Sequence, residues 1–171
     1  MEGYENNTLS LPVLPLRGMV VFPKAVIHFD VGRKQSIAAI NKAMREDQLI
    51  FLAAQKDPVV NDPKLIDLYS IGVVAKIVQV LKQPDDVTRV VLEGKYRAKA
   101  VSPVFDPKHM LAEVAPVAEQ KMPLTAADIA LIRSVKNQFE KYLEVTPKMP
   151  PDIIFKVALC KYPGELADYI A

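Results

Sequence analysis

Few of the side chains that commonly perform chemistry stand here in a spacing that would let them act together. The six glycines, Gly3, Gly18, Gly32, Gly72, Gly94 and Gly164, are too dispersed for a phosphate-cradling loop, which needs a glycine-rich turn followed by Lys and Ser or Thr. None of the serines, Ser10, Ser36, Ser70, Ser102 and Ser134, lies in a G-x-S-x-G elbow. A serine–lysine pair brought together by folding is the one nucleophilic arrangement the residue types leave open. The two histidines, His28 and His109, lack the closely spaced carboxylate or cysteine partners of a zinc site. His28 lies in an apolar strand and is expected to be a hydrogen-bonded structural residue, whereas His109, beside a turn, is expected to be solvated. Cys160, the single cysteine, reads as a packed core thiol on an amphipathic helix. Asp57 and Asp62, and the pair Asp85-Asp86, have no nearby base and shape turns by bonding to their own backbone. No catalytic, cofactor-binding or metal-ligating residue is assigned.

Composition narrows the remaining classes. The chain has 171 residues, 50% of them hydrophobic, enough for one large domain or two small lobes with a real core. A net charge of +2 without a cluster of like charges does not suit a phosphate-tracking nucleic-acid binder. One cysteine gives no disulfide framework. The opening MEGYENNTLS has no apolar signal region, and no apolar run approaches the roughly 20 residues of a membrane span. The expected compartment is the cytoplasm. Fourteen prolines against six glycines suggest rigid connections.

The elements follow from the periodicities. Residues 1–10 read as a disordered tail. The apolar run Leu11–Pro23, LPVLPLRGMVVFP, is interrupted by Pro12, Pro15 and Pro23. Proline has no backbone donor for a central ladder, so Leu11–Leu16 is predicted as an edge or barrel-opening strand, with Arg17-Gly18 a kink or bulge. Ala25–Val31 alternates as a second strand, Val26 and His28 on one face and Ala25, Ile27, Phe29 and Val31 on the other. Ile37, Ile40 and Met44 mark one face of a helix over Arg33–Glu46. Leu49–Gln55 reads as a buried strand. Lys56–Asp67 is a loop with one helical turn near Lys64–Leu68. Strands follow at Ile71–Lys82, Thr88–Glu93, Tyr96–Phe105 and Met110–Val117, with a hairpin turn at Pro84-Asp85-Asp86 and a bend or bulge at Gly94-Lys95. Beyond Pro123, Thr125 and Asp128 form a capping box. It opens a helix carrying Ile132, Val135, Phe139, Tyr142 and Leu143, stopped by Pro147, Pro150 and Pro151. Asp152–Leu159, started by proline at its first turn, and Gly164–Ile170 are further helices. A mixed, mostly antiparallel β lobe (11–118) thus precedes a helical lobe (119–171).

Three surfaces could contact a partner. Arg33 and Lys34 open the first helix, where cations oppose the helix dipole at a cost of up to about 1 kcal/mol each. With Gln35 they are either a contact surface or a plainly solvated helix end. Met19, Val20, Val21 and Phe22 are either an exposed apolar patch, which marks an interaction site, or a plug for the barrel. Lys95, Tyr96 and Arg97 are either a third patch or a solvated hairpin. In the helical lobe Ile153, Ile154, Leu159 and Leu166 could be exposed and pair with a second copy.

The opening run, VGRKQS at Val31–Ser36, AQKDP at Ala54–Pro58, YSIGVVA at Tyr69–Ala75 and VLEGKYRA at Val91–Ala98, in that order, resemble the N-terminal domain of the ATP-dependent Lon proteases. The resemblance runs from Leu11 to Ala171. It implies an α+β fold: a PUA-like mixed β pseudo-barrel with one helix, followed by a helical lobe truncated relative to the family's longer bundle. Gly32 and Arg33 match the family's Gly-Arg at the helix start, while Lys34 stands where the family often has an acid. The resemblance implies a non-catalytic domain that recognises unfolded or damaged proteins and supports assembly with other Lon subunits. The family's Ser-Lys endopeptidase and its ATPase, with ATP and Mg, lie outside such a chain, so no cofactor is expected in it. A free-standing adaptor of the same fold and a PUA-like RNA-binding module are the alternatives. For the latter the tyrosines are scattered, where base stacking needs aromatics on a basic surface.

Overall fold

The computed structural model describes residues 8–83, 87–118, 123–146 and 148–171. The chain forms two compact units, Met1–Ala118 and Glu119–Ala171. The Pro84-Asp85-Asp86 turn, the Pro147 helix stop and most of the N-terminal tail lie outside the described residues.

In the first unit, β1 (Leu9–Leu16), β2 (Val26–Val31), α1 (Lys34–Arg45), β3 (Leu49–Ala54), β4 (Ile71–Lys82), β5 (Thr88–Val104) and β6 (Leu111–Pro116) follow in order. The strands align as β2-β5-β4-β3-β1-β6, and β5 also pairs with β6. Five strands therefore close a ring, and β2 adds to the first half of β5. Among the described strands, β1 and β3 alone run parallel. Leu9 and Ser10 are strand rather than tail, opposite Val114 and Glu113.

The first strand is not an edge. It lies between β6, paired along Leu9–Pro12, and β3, paired along Val13–Leu16. Its prolines fit because hydrogen-bonding direction alternates along a strand. The Val13 amide donates to Met110 O at 2.9 Å and Leu16 O accepts from Gln55 at 2.8 Å. By that alternation the nitrogen of Pro12 faces the β3 side, where pairing begins only at Val13. The nitrogen of Pro15 faces the β6 side, where pairing has ended at Pro12. Both missing donors fall where no ladder bond is due.

Two apolar clusters explain the unbroken hydrophobic runs of β1 and β3. Leu14, Leu16, Ile50 and Leu52 pack with Ala39, Ile40 and Ala43 of α1. Leu11, Val13, Phe51 and Ala53 pack with Val74, Ala98, Ala112 and Val114, so all five ring strands contribute. Both faces of these strands are thus buried, which removes the polar alternation. Full burial of each Leu, Ile, Val or Phe among them is worth about 1.5–3 kcal/mol. The α1 face turns on Ser36, Ala39, Ile40 and Ala43; Ile37 is half-buried and Met44, expected on that face, is exposed.

A bulge lets β5 serve both clusters. Val90 and Leu92 face the first cluster and Ala98 the second, although all are even-numbered. The register slips between Val74 and Ala75, which oppose Tyr96 and Gly94, leaving Lys95 extra and inverting the faces. Gly94-Lys95, expected as a bend or bulge, is thus a bulge, and the two expected strands on either side of it form the single strand β5. Close packing also sets Gly72 and Gly94. A Cβ on Gly72 would lie 2.2 Å from Leu52 O, and one on Gly94 would lie 2.5 Å from Phe22 O.

The second unit holds α2 (Ala126–Val145), α3 (Pro151–Leu159) and α4 (Pro163–Ile170). The capping box is present: Thr125 Oγ1 accepts from the Asp128 amide at 3.2 Å and Asp128 Oδ2 accepts from the Thr125 amide at 2.8 Å. Proline opens both α3 and α4 at the first turn, where its missing donor is harmless. Phe139, Val157, Cys160 and Leu166 form the core. Lys136 Nζ donates to Ala158 O at 2.7 Å and Cys160 O at 2.6 Å, placing a cation on the carbonyls that end α3. Cys160 is buried just beyond that helix, and Leu166, expected at the surface, is buried; Leu159 is 76% exposed.

Candidate functional site

The left-handed Gly18 (φ +65°) turns the chain after β1, as its kink position suggested. The next four residues then divide. Val21 is buried and Phe22 half-buried, while Val20 is 64% exposed and Met19 is half-buried. The run is therefore both plug and patch. It is fixed from below by Gly94, whose amide donates to Ala25 O at 2.9 Å and whose carbonyl accepts from Lys24 at 2.9 Å.

Arg33 precedes α1, and its carbonyl accepts the first helical bond from the Ile37 amide at 2.9 Å. No acid stands in the first turn. Lys34 and Gln35 are exposed, but Arg33 folds inward. Its Nη2 donates to Gln55 Oε1 at 2.7 Å, and its Nη1 is shielded from solvent with no partner. Gln55, buried at the end of β3, donates through Nε2 to Asp57 O at 3.1 Å and Val60 O at 3.0 Å. Arg17 reaches the same loop, donating from Nη2 to Asn61 Oδ1 at 3.2 Å. Burial pulls the Arg33 guanidinium below its ordinary range, the charge of Arg17 adds to this, and Asp62 opposes it.

A cleft of about 300 Å³ joins the two candidate patches, bringing Met19 and Arg33 together with Arg17, Phe29, Asp30 and Ser36. Asp30 is engaged elsewhere: Arg89 donates to its two oxygens at 2.7 and 2.8 Å. Lys34 lies apart, on a depression shared with Ile37, Asn41 and Thr88. Gln35 lines a third hollow with Pro63, His109 and Phe105, the last 92% exposed. Gln55 and Arg17 are the site residues that spacing arguments overlooked. Gln55 stands inside AQKDP and Arg17 inside the opening run, so both lay within stretches already singled out.

The histidines reverse their expected roles. His28 is exposed because the period of two places it outward with Val26 and Asp30. His109 is 8% exposed. Asp106 Oδ1 accepts from the amides of Lys108 and His109 and lies 3.1 Å from His109 Nδ1, and this turn folds the ring inward. In the third patch Lys95 pairs with Glu93 at 2.7 Å, and burial raises the Tyr96 hydroxyl above its ordinary range. Among the described residues no group of three His, Cys, Asp or Glu could hold a metal ion. No described helix is long and apolar enough to cross a membrane.

A closed mixed barrel covered by one helix, with a cleft lined by Arg17 and Arg33, and a three-helix unit among the described residues make this an α+β chain. A family model for the ATP-dependent protease La (LON) substrate-binding domain matches residues 10–171, and the chain belongs to that family. The chain is 43% identical over 162 residues to a Lon protease of Desulforamulus reducens, covering 95% of this chain and 20% of that protein. It is 39% identical over 171 residues to a Lon protease of Bacillus thuringiensis, covering 100% and 21%. Among solved structures, the N-terminal domain of the Mycobacterium avium complex Lon protease superposes with a TM-score of 0.73 at 27% identity, covering 94% of this chain and 80% of that one. A Lon N-terminal domain protein from Xanthomonas campestris shares the fold at a TM-score of 0.57 and 18% identity, with 76% and 72% covered. The chain thus spans about a fifth of the length of the curated relatives it matches, and the catalytic protease domain is not within it.

Proposed function

We propose that this domain recognises unfolded or damaged polypeptide segments in the cytoplasm and, within a longer Lon chain, holds them for the ATPase and supports assembly with other subunits. The match of residues 10–171 to a substrate-binding family carries this reading. Its physical support is the surface running from Val20 and Met19 across the cleft to Arg33. There, apolar groups stay exposed on a rigid barrel beside charges. Such a surface suits weak contact with many partners, because apolar burial is non-directional and needs no defined sequence. Peptide cleavage and ATP turnover belong to the rest of a Lon chain, and this domain works without a cofactor. Membranes and nucleic acids are not partners in this reading.

Fluorescence anisotropy with a labelled, permanently unfolded casein-like protein tests it. Binding at micromolar affinity or weaker is expected, with a natively folded control showing none. Absence of binding at high protein concentration contradicts the reading.

A further inference from the structure

We infer that the cleft between the end of β1, β2 and the start of α1 is a carboxylate-recognising subsite that takes the free C-terminus of an unfolded polypeptide ending in an apolar residue. The inference rests on the substrate-binding reading and names the chemistry of one part of the substrate. Arg17 and Arg33 line this cleft together, beside the apolar side chains of Met19 and Phe29. Among the described residues the only carboxylate in its wall is Asp30, which is already held by both oxygens on Arg89. Arg33 uses Nη2 on the neutral Gln55 and leaves Nη1 buried without a partner. Arg17 meets only neutral oxygens, Val60 O at 3.4 Å and Asn61 Oδ1 at 3.2 Å. Arg33 is half-buried, and a shielded guanidinium nitrogen without a partner calls for an acceptor. Guanidinium–carboxylate pairs supply the strongest hydrogen bonds of this kind.

The apolar wall selects the source of that carboxylate. A C-terminal residue carries its charge and its apolar side chain on one Cα, so a single residue can satisfy both walls. An internal Asp or Glu spends its side chain on the charge and must offer a neighbour to the apolar wall. A volume of about 300 Å³ is at the small end of ligand pockets and suits one or two residues rather than a long segment.

Three fluorescein-labelled peptides of one apolar sequence test this by anisotropy at low salt. The first has a free C-terminal carboxylate, the second a C-terminal amide, and the third an amide with one internal Glu. The free acid is expected to bind about tenfold tighter than either amide, equivalent to about 1.4 kcal/mol. Arg17→Gln or Arg33→Gln should bring the three within about twofold, on the scale of losing one charge-assisted bond, with the far-UV circular dichroism unchanged. Arg17 is exposed, so Arg17→Gln carries the test even where Arg33→Gln unfolds the chain. Equal binding of acid and amide overturns the inference while leaving polypeptide binding intact. So does an internal-Glu peptide that matches the free acid. Failure of all three peptides and of unfolded protein to bind overturns both readings.

Discussion

At the scale of the residue, small groups fix what larger patterns leave open. Gly72 is required not by its own backbone angles but by the Leu52 carbonyl and the Phe51 ring, within 3 Å of where a Cβ would sit. Gly72→Ala is therefore expected to destabilise the first unit by about 1–3 kcal/mol through overpacking, read as a lower urea midpoint at unchanged slope. Three carboxylates act through charge. The Arg89 hydrogen bond holds Asp30 below the ordinary carboxylate range, the Lys108 amide does the same for Asp106, and the Thr125 hydroxyl and amide for Asp128. A depressed folded-state value means that each contributes stability at neutral pH and above the unfolded value of about 4, lost as pH falls through the folded value. The urea midpoint should accordingly fall as pH drops below about 4, and Asp30→Asn with Asp106→Asn and Asp128→Asn should flatten that part of the profile. An identical acid profile in the triple variant would show that other groups govern it.

At the scale of the element, local codes were legible and pairing partners were not. The Thr125–Asp128 capping box, the α3 start at proline and the alternation of β2 could be read directly, because each rests on contacts within a few residues. Thr125→Ala is expected to cost about 1 kcal/mol, with hydrogen exchange accelerated in the first turn of α2 and unchanged in β1–β6. Of the two expectations for β1, edge or barrel-opening strand, the edge fails, because two prolines looked incompatible with pairing on both sides. The ladder in fact changes partner between Pro12 and Val13, a long-range event with no local signature. The α1 face shifted for a related reason: small residues, Ser36, Ala39 and Ala43, let the helix sit close on β1 and β3, whereas the larger Met44 marked the rim. The histidines were misread alike. A strand's parity decides His28, and a single Asp106 turn decides His109.

At the scale of the whole molecule, the ordered motifs carried the family while the site needed the folded chain. Met19 and Arg33 are separated by a strand and a turn in sequence, yet they line one cleft. Lys34, adjacent to Arg33, lies on a different depression, while Gln35 shares a narrow hollow with Arg33 and lines another beside His109. Unfolded polypeptide is expected to rest on this joined apolar and arginine-lined surface. Backbone amide chemical-shift mapping of the isotopically labelled chain, titrated with an unfolded casein-like protein, checks this. The largest shifts are expected at Met19–Phe22, Gly32–Arg33 and Gln55, with the helical unit and the β4–β5 hairpin little changed. Shifts confined to those latter regions, or none at saturating polypeptide, would contradict it.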